Sequence, residues 1–382
     1  MSGVLRDLFL LRDDVIYLNH GSFGACPKPV FDAYQRWQLE LERNPIDLLT
    51  RRFAAEMANA RRSLSEYVGA AADDLVYVTN ATTGLNAVAR SLRLGPSDEI
   101  LTTDHEYGAL DRTWHFVCEA TGAQYVRASV DVPVRGRDDV VDAVWDRVSP
   151  RTKVLFLSHI TSPTGIVFPV AELADRARDH GILSVIDGAH APGQIPLDLD
   201  ALGADIYVGN CHKWMMAPKG AGFLHVRREV QDRIEPLVVS WGWRSDRPGP
   251  SRFVDHHEWQ GTRDISAFLA VPASIRFLRE HRWAQVRERC HALLAATGTR
   301  ITDEIGLEPA VGSSELFAQM MSFRLPACDP AAFQARLLAE HRIEAPAIRF
   351  DDGAVVRISV QGYNTIEDLN ALVAALRSIV AD

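Results

Sequence analysis

The stretch ILSVIDGAHAPGQIPLDLDALGADIYVGNCHKW, residues 182–214, decides how this chain folds. Two short apolar runs within it, ILSVID (182–187) and DIYVGN (205–210), read as buried strands, and each runs directly into polar residues. Outward from there, LVYVTN (75–80), EILTTD (99–104), KVLFLSHI (153–160) and GFLHV (222–226) have the same form. Between them, LNAVARSLRLG (85–95) and AELADRARDHG (171–181) carry helical periodicity and end on glycine. Alternation of this kind predicts an α/β fold with a mostly parallel central sheet flanked by helices. Ligands of such sheets sit beyond the carboxyl ends of the strands. The composition shifts at WGWRSDRPGPSRFVDHHEWQGTRD (241–264), which reads as a long functional loop. Beyond it, helices with strand-like pieces QMMSFRLP (319–326) and AVVRISV (354–360) predict a smaller α+β domain. The expected organisation is an entrance segment over 1–25, a large α/β domain over 26–260 and a small C-terminal domain over 261–382.

Composition narrows the function. The 382 residues are 47% hydrophobic and 24% charged, an ordinary globular mixture. The formal charge, 41 − 50 = −9, comes without any dense basic block, so neither nucleic acid nor an anionic membrane is an expected partner. Small anions stay open, because local dipoles and single cations hold them. Cys26, Cys118, Cys211, Cys290 and Cys328 are scattered and form no CxxC pair, which predicts a reducing, cytoplasmic setting without a disulfide scaffold. Charges at Arg6, Asp7, Arg12, Asp13 and Asp14 break any signal-like run, and 154–171 is too polar at its centre to span a bilayer.

Asp187, in DGAH, and Lys213, in CHKW, stand at the ends of two predicted strands. A carboxylate and a lysine so placed suit pyridoxal phosphate: the lysine forms a Schiff base, and the aspartate pairs with the protonated ring nitrogen. A strand-end cap and a surface lysine are the plain alternative, which explains each residue singly but not the pair. Asn80-Ala81-Thr82-Thr83-Gly84 lies between a strand and a helix, the context in which free N–H groups and hydroxyls hold a phosphate; a simple N-cap is the competing reading. After EILTTD come His105, Glu106 and Tyr107, and an aromatic there can cover a ring. A metal site built from Asp187, His190, His212, His256 and His257 lacks any HExxH-like spacing, and no metal is expected.

Taken together, LNHGSFG (18–24), DHEYGA (104–109), SHITSPTG (158–165), VIDGAHAPG (185–193), GNCHKW (209–214), VSWGW (239–243) and EWQGTRD (258–264) resemble the class V aminotransferase family of fold-type I pyridoxal-phosphate enzymes. Within it the motifs are most similar to the isopenicillin N epimerase group. The resemblance makes Lys213 the cofactor lysine and Asp187 the ring-nitrogen partner, and puts His190 near the ring oxygen or phosphate. It implies that Thr82 and Thr83, with Asn210 and His212, hold the phosphate. Thr262 would reach the phosphate of the other subunit of a homodimer with shared sites. Tyr107 would stack on the ring and take part in catalysis, and its spacing to Trp114 fits better than that of His105. Ser162 falls beside the ring hydroxyl, where desulfurases have Asn. Arg357 would grip the substrate α-carboxylate, with a planar fork suited to the task, and Gly21 and Ser22 would shape the substrate pocket.

Cysteine desulfurases place a nucleophilic Cys on a loop shortly before that arginine. RIEAPAIRFDDGAV (342–355) has none, so a persulfide route is not expected. Cys211 is expected to be a buried filler. The resemblance therefore points to a small-molecule amino-acid or peptide-like substrate and to an epimerase. The alternatives are a β-lyase (C–S lyase), an aminotransferase or a decarboxylating deaminase of specialised metabolism. Trp241, Trp243 and Arg244 would serve either the substrate pocket or the dimer interface.

Overall fold

A computed structural model describes residues 5–381. Seven strands form the central sheet in the order Leu75–Val78, Gly222–Val226, Ile206–Asn210, Leu183–Gly188, Thr152–Ser158, Glu99–Thr103 and Gln124–Ala128. All neighbours pair parallel except Gly222–Val226, which runs antiparallel to both of its partners. The six expected strands are present. Gln124–Ala128, a partly exposed edge strand of sequence QYVRA, escapes a reading that looks for apolar runs.

Period-2 alternation explains why both faces are covered. Val76, Ile100, Val154, Val185 and Val208 pack on one side with Leu85, Leu110 and Trp114 from the helices Ala81–Ser91 and Gly108–Thr121. Tyr77, Leu101, Leu155, Ile186 and Tyr207 face the other side, towards the helices Phe53–Val68 and Val170–Asp179. The helix expected over 85–95 spans Ala81–Ser91. Its start is set by Asn80, whose side chain accepts from the Thr83 N–H at 2.8 Å, and its end by Leu92, which is extended. It stops short of Gly95. The stretch 241–264 is not wholly loop: Ser251 caps a helix, Arg252–Glu258, that buries Phe253, Val254 and His257.

In the C-terminal part, Met320–Arg324, Gly353–Ser359 and Ala347–Phe350 form an antiparallel sheet with Gly353–Ser359 in the middle. The helix Trp283–Ile305 packs against Ile366–Ala381. The helices Ser266–Leu269 and Val271–Glu280, which the sequence places in the small domain, instead pack on Lys28–Arg43 and Phe53–Val68. Residues 1–4 of the entrance segment lie outside the described residues. The rest of it crosses to the C-terminal part, where Ile16–Tyr17 pairs parallel with Ile343–Glu344. Among the described residues no helix is long and apolar enough to cross a membrane.

Candidate active site

Beyond the carboxyl ends of the parallel strands lies a cavity of about 340 Å³ that brings most of the expected residues together. Lys213 enters from the turn after Ile206–Asn210, and Asp187 from the end of the next strand. Asp187 is buried, accepts the Ala189 N–H at 2.8 Å, and has its acidity weakened by burial. Burial also holds the Lys213 amine down to about 8, an effect that Asp187 partly offsets. His190 lines the same wall, with Nε2 3.0 Å from Lys213 Nζ, and burial keeps its ring far below the usual imidazole range.

One rim is built by the start of the helix Ala81–Ser91. Thr82 lines the cavity there, and Asn210 Oδ1 accepts the Ala81 N–H at 2.8 Å. His212 also lines it, anchored through Nδ1 to the Ala221 carbonyl at 2.9 Å; burial pushes its ring down to about 4. Thr83 departs from expectation. Its hydroxyl is engaged by Thr79 at 2.9 Å and Asn80 at 3.1 Å, its N–H completes the cap, and it does not line the cavity.

Tyr107 lies at the mouth, 47% exposed, immediately before the helix Gly108–Thr121. His105, by contrast, is fully buried between Thr164 Oγ1 (2.8 Å) and the Val130 carbonyl (2.7 Å), outside the cavity. On the opposite rim Ser22 and Ser162 line the cavity, and Arg357 forks between them. Arg357 Nη2 donates to Ser22 Oγ at 3.0 Å, and Nη1 to the Ser162 carbonyl and, at 3.4 Å, its hydroxyl. Ser162 is thus engaged by Arg357. Gly21 lies beneath, its N–H on Ser359 Oγ; a Cβ there would meet Met320 Sδ at 2.5 Å. Thr262 is exposed and stands outside this chain's own cavity. So do His256 and His257, on the helix Arg252–Glu258.

Sequence reasoning missed several residues. Thr79, Ser158, Lys219 and Phe23 also line the cavity. Ser158 is signalled only by being the last residue of its strand. His20 was passed over within LNHGSFG, yet its Nε2 lies 3.1 Å from the Lys213 carbonyl and its Nδ1 3.0 Å from the Tyr363 hydroxyl. Gly24, with φ of 68°, seats this N-terminal turn against the lysine loop: a Cβ there would lie 2.2 Å from the His212 carbonyl oxygen.

The donor set fits pyridoxal phosphate. A buried carboxylate without a bonded cation and a depressed amine face one cavity beside a capped helix start, and Arg357 carries a buried Nε with no partner among the described residues. A family model described as Aminotransferase class-V matches residues 16–372. This chain belongs to that family. It is a pyridoxal-phosphate-dependent enzyme. It is 37% identical to the isopenicillin N epimerase of Amycolatopsis lactamdurans, over 98% of this chain and 97% of that one. To a putative L-cysteine desulfhydrase 1 of Oryza sativa subsp. japonica it is 30% identical, over 96% of this chain and 84% of the relative. Among solved structures, a C-DES variant with glycine covalently linked to its PLP cofactor superposes with a TM-score of 0.84 at 23% identity, covering 97% of this chain and 98% of that chain.

Proposed function

We propose that this enzyme is an amino-acid epimerase of the isopenicillin N epimerase kind, acting at Cα of an amino-acid or peptide-like substrate. One observation carries the reading: two groups able to handle a proton, Lys213 and Tyr107, flank one cavity. Lys213 follows Ile206–Asn210 and Tyr107 follows Glu99–Thr103, and the strand ends bearing Asp187 and Ser158 stand between them. The 37% identity to an isopenicillin N epimerase over nearly the whole chain supports the same conclusion.

Bound here, pyridoxal phosphate supplies an anchor for the substrate amine and an electron sink for a bond broken at Cα. Asp187 would hold the proton at the ring nitrogen. Thr82, Asn210 and His212 would hold the phosphate at the helix start, and His190 would hold the ring oxygen. Arg357 binds the α-carboxylate and so selects which Cα bond is presented; Ser22 and Ser162 keep its fork in plane. Lys213, whose amine burial brings down to about 8, takes the Cα proton in its free form. Tyr107 returns a proton from the other flank, which inverts the centre.

A homodimer with shared sites belongs to the same reading. Thr262 is exposed and lies outside its own cavity, and Trp241 (85% exposed) and Val239 (64%) offer apolar surface nearby in sequence. Against a persulfide route, none of the five cysteines lines the cavity, and burial pushes the Cys211 thiol up. A β-lyase is the second reading, favoured by the 30% identity to a putative desulfhydrase.

Incubation in deuterated water separates the two. Epimerisation yields substrate deuterated and inverted at Cα with no ammonia; release of ammonia and pyruvate would replace the first reading with the second.

A further inference from the structure

Two buried histidines grip the Lys213–Trp214 pair, and the tryptophan has no role in the reading above. The Trp214 indole N–H donates to Nδ1 of His190 at 3.4 Å, while Nε2 of the same ring lies 3.0 Å from Lys213 Nζ. A neutral imidazole has one donor and one acceptor nitrogen, and its cation has two donors. Burial, aided by the Arg357 charge, keeps His190 neutral. Because Nδ1 accepts from the indole, the ring's single proton resides on Nε2. The contact with Lys213 is then Nε2–H pointing at nitrogen. An ammonium, which has only donors, cannot complete that contact; a free amine accepts it through its lone pair.

We propose that Trp214 is a positioning residue that fixes the His190 tautomer and thereby holds Lys213 as the free amine, ready to capture the cofactor. The surroundings leave the indole little freedom. Trp214 is fully buried, and its ring lies 4.9 Å from that of His20. Gly193, with φ of 89°, packs so closely that a Cβ would come within 2.4 Å of the Trp214 carbonyl. His20 Nε2 meets the Lys213 carbonyl at 3.1 Å, so the lysine backbone is held from the other side. Phenylalanine at 214 would fill much of the same space but release Nδ1. The imidazole proton could then move to Nδ1, and Nε2 would accept from the ammonium form and stabilise it.

The inference rests on Lys213 being the cofactor-capturing amine, but its first test needs neither cofactor nor substrate. In cofactor-free protein, 1H–15N correlation spectra of the histidine rings should show His190 protonated at Nε2 and bare at Nδ1. Trp214→Phe should shift that ring towards the other tautomer. In a second test, the rate of covalent capture of pyridoxal phosphate is followed against pH. Its midpoint should move up in Trp214→Phe, and capture at neutral pH should slow roughly fivefold, the scale of one lost hydrogen bond. Asp187, Arg357 and His212 also face Lys213 and stay unchanged in both proteins. In a His190→Phe background, adding Trp214→Phe should change nothing further, because no ring nitrogen remains to be set.

A wild-type His190 carrying its proton on Nδ1 would overturn the proposal. So would an unchanged tautomer and midpoint in Trp214→Phe, or an undiminished effect of that change without His190. The wild-type spectrum decides even if the variant fails to fold. Folded wild-type protein that never captures cofactor would remove Lys213 from its role while leaving the tautomer assignment intact.

Discussion

Arg357 and Ser22, 335 positions apart in the chain, are joined at 3.0 Å between Nη2 and Oγ. With Ser162 on the other terminal nitrogen, that contact holds a planar cation between two residues that line the cavity. Burial lowers the guanidinium to about 10, which still leaves it charged at any working pH. Arg357→Lys keeps charge but loses the fork. It should reduce kcat/KM by about 10- to 100-fold, the range for lost charge-assisted hydrogen bonds, while the cofactor's visible spectrum stays unchanged. Steady-state kinetics beside absorbance checks both parts.

Lys213→Ala should abolish covalent cofactor binding. Wild-type protein should absorb at roughly 410–430 nm, where a protein-bound pyridoxal group absorbs, and borohydride should fix that label to the chain. A borohydride-fixed label persisting in the variant would show that another amine does the work. In wild-type protein, covalent capture should rise with pH through about 8 rather than near 10.5, because only the free amine reacts and burial has lowered its pKa.

Glu106 is buried between Ser158 Oγ (2.6 Å) and Thr103 Oγ1 (2.8 Å), with no cation in contact among the described residues, and burial raises it to about 8; Asp187 and Asp111 add to the rise. Between its unfolded value near 4.5 and about 8, the folded state binds the extra proton. Stability of the cofactor-free protein should therefore be fullest below that window and fall as pH rises through it. Glu106→Gln, a neutral mimic of the acid, should be near neutral at pH 5 and stabilising at pH 8.5 by on the order of 2 kcal/mol or more. Urea denaturation at the two pH values tests this; a gain of equal size at both would refute it.

Gly24→Ala should be costly. The residue holds φ of 68°, and a side chain would meet the His212 and Lys213 backbones. The backbone term alone is about 1 kcal/mol, and the displaced lysine loop should also slow cofactor loading. Thermal unfolding and the rate of cofactor uptake read the two effects separately.

The sheet and the lysine–aspartate pair were legible because buried parallel strands read as apolar runs and each runs straight into its polar residue. Local rules offered Thr82 and Thr83 together as phosphate candidates; Thr82 lines the cavity and Thr83 does not, because two neighbouring hydroxyls count equally in sequence, while only the fold decides which one the Asn80 cap turns inward. Ser158, His20 and Trp214 were hidden for a different reason. Each acts through a partner on another element, and periodicity carries no information about such pairs. The helix Arg252–Glu258 was obscured by flanking Pro, Gly and Trp, although Ser251 is an ordinary start signal.

The strand Ile16–Tyr17 is paired with Ile343–Glu344, and Ser22 leans on Arg357. A chain still emerging from the ribosome can lay down its lysine, its aspartate and the phosphate rim long before its last forty residues exist. The grip on a substrate's carboxylate must wait until the beginning and the end of the polypeptide meet. A chain that stops before residue 343 should therefore lack the Arg357 fork and turn nothing over.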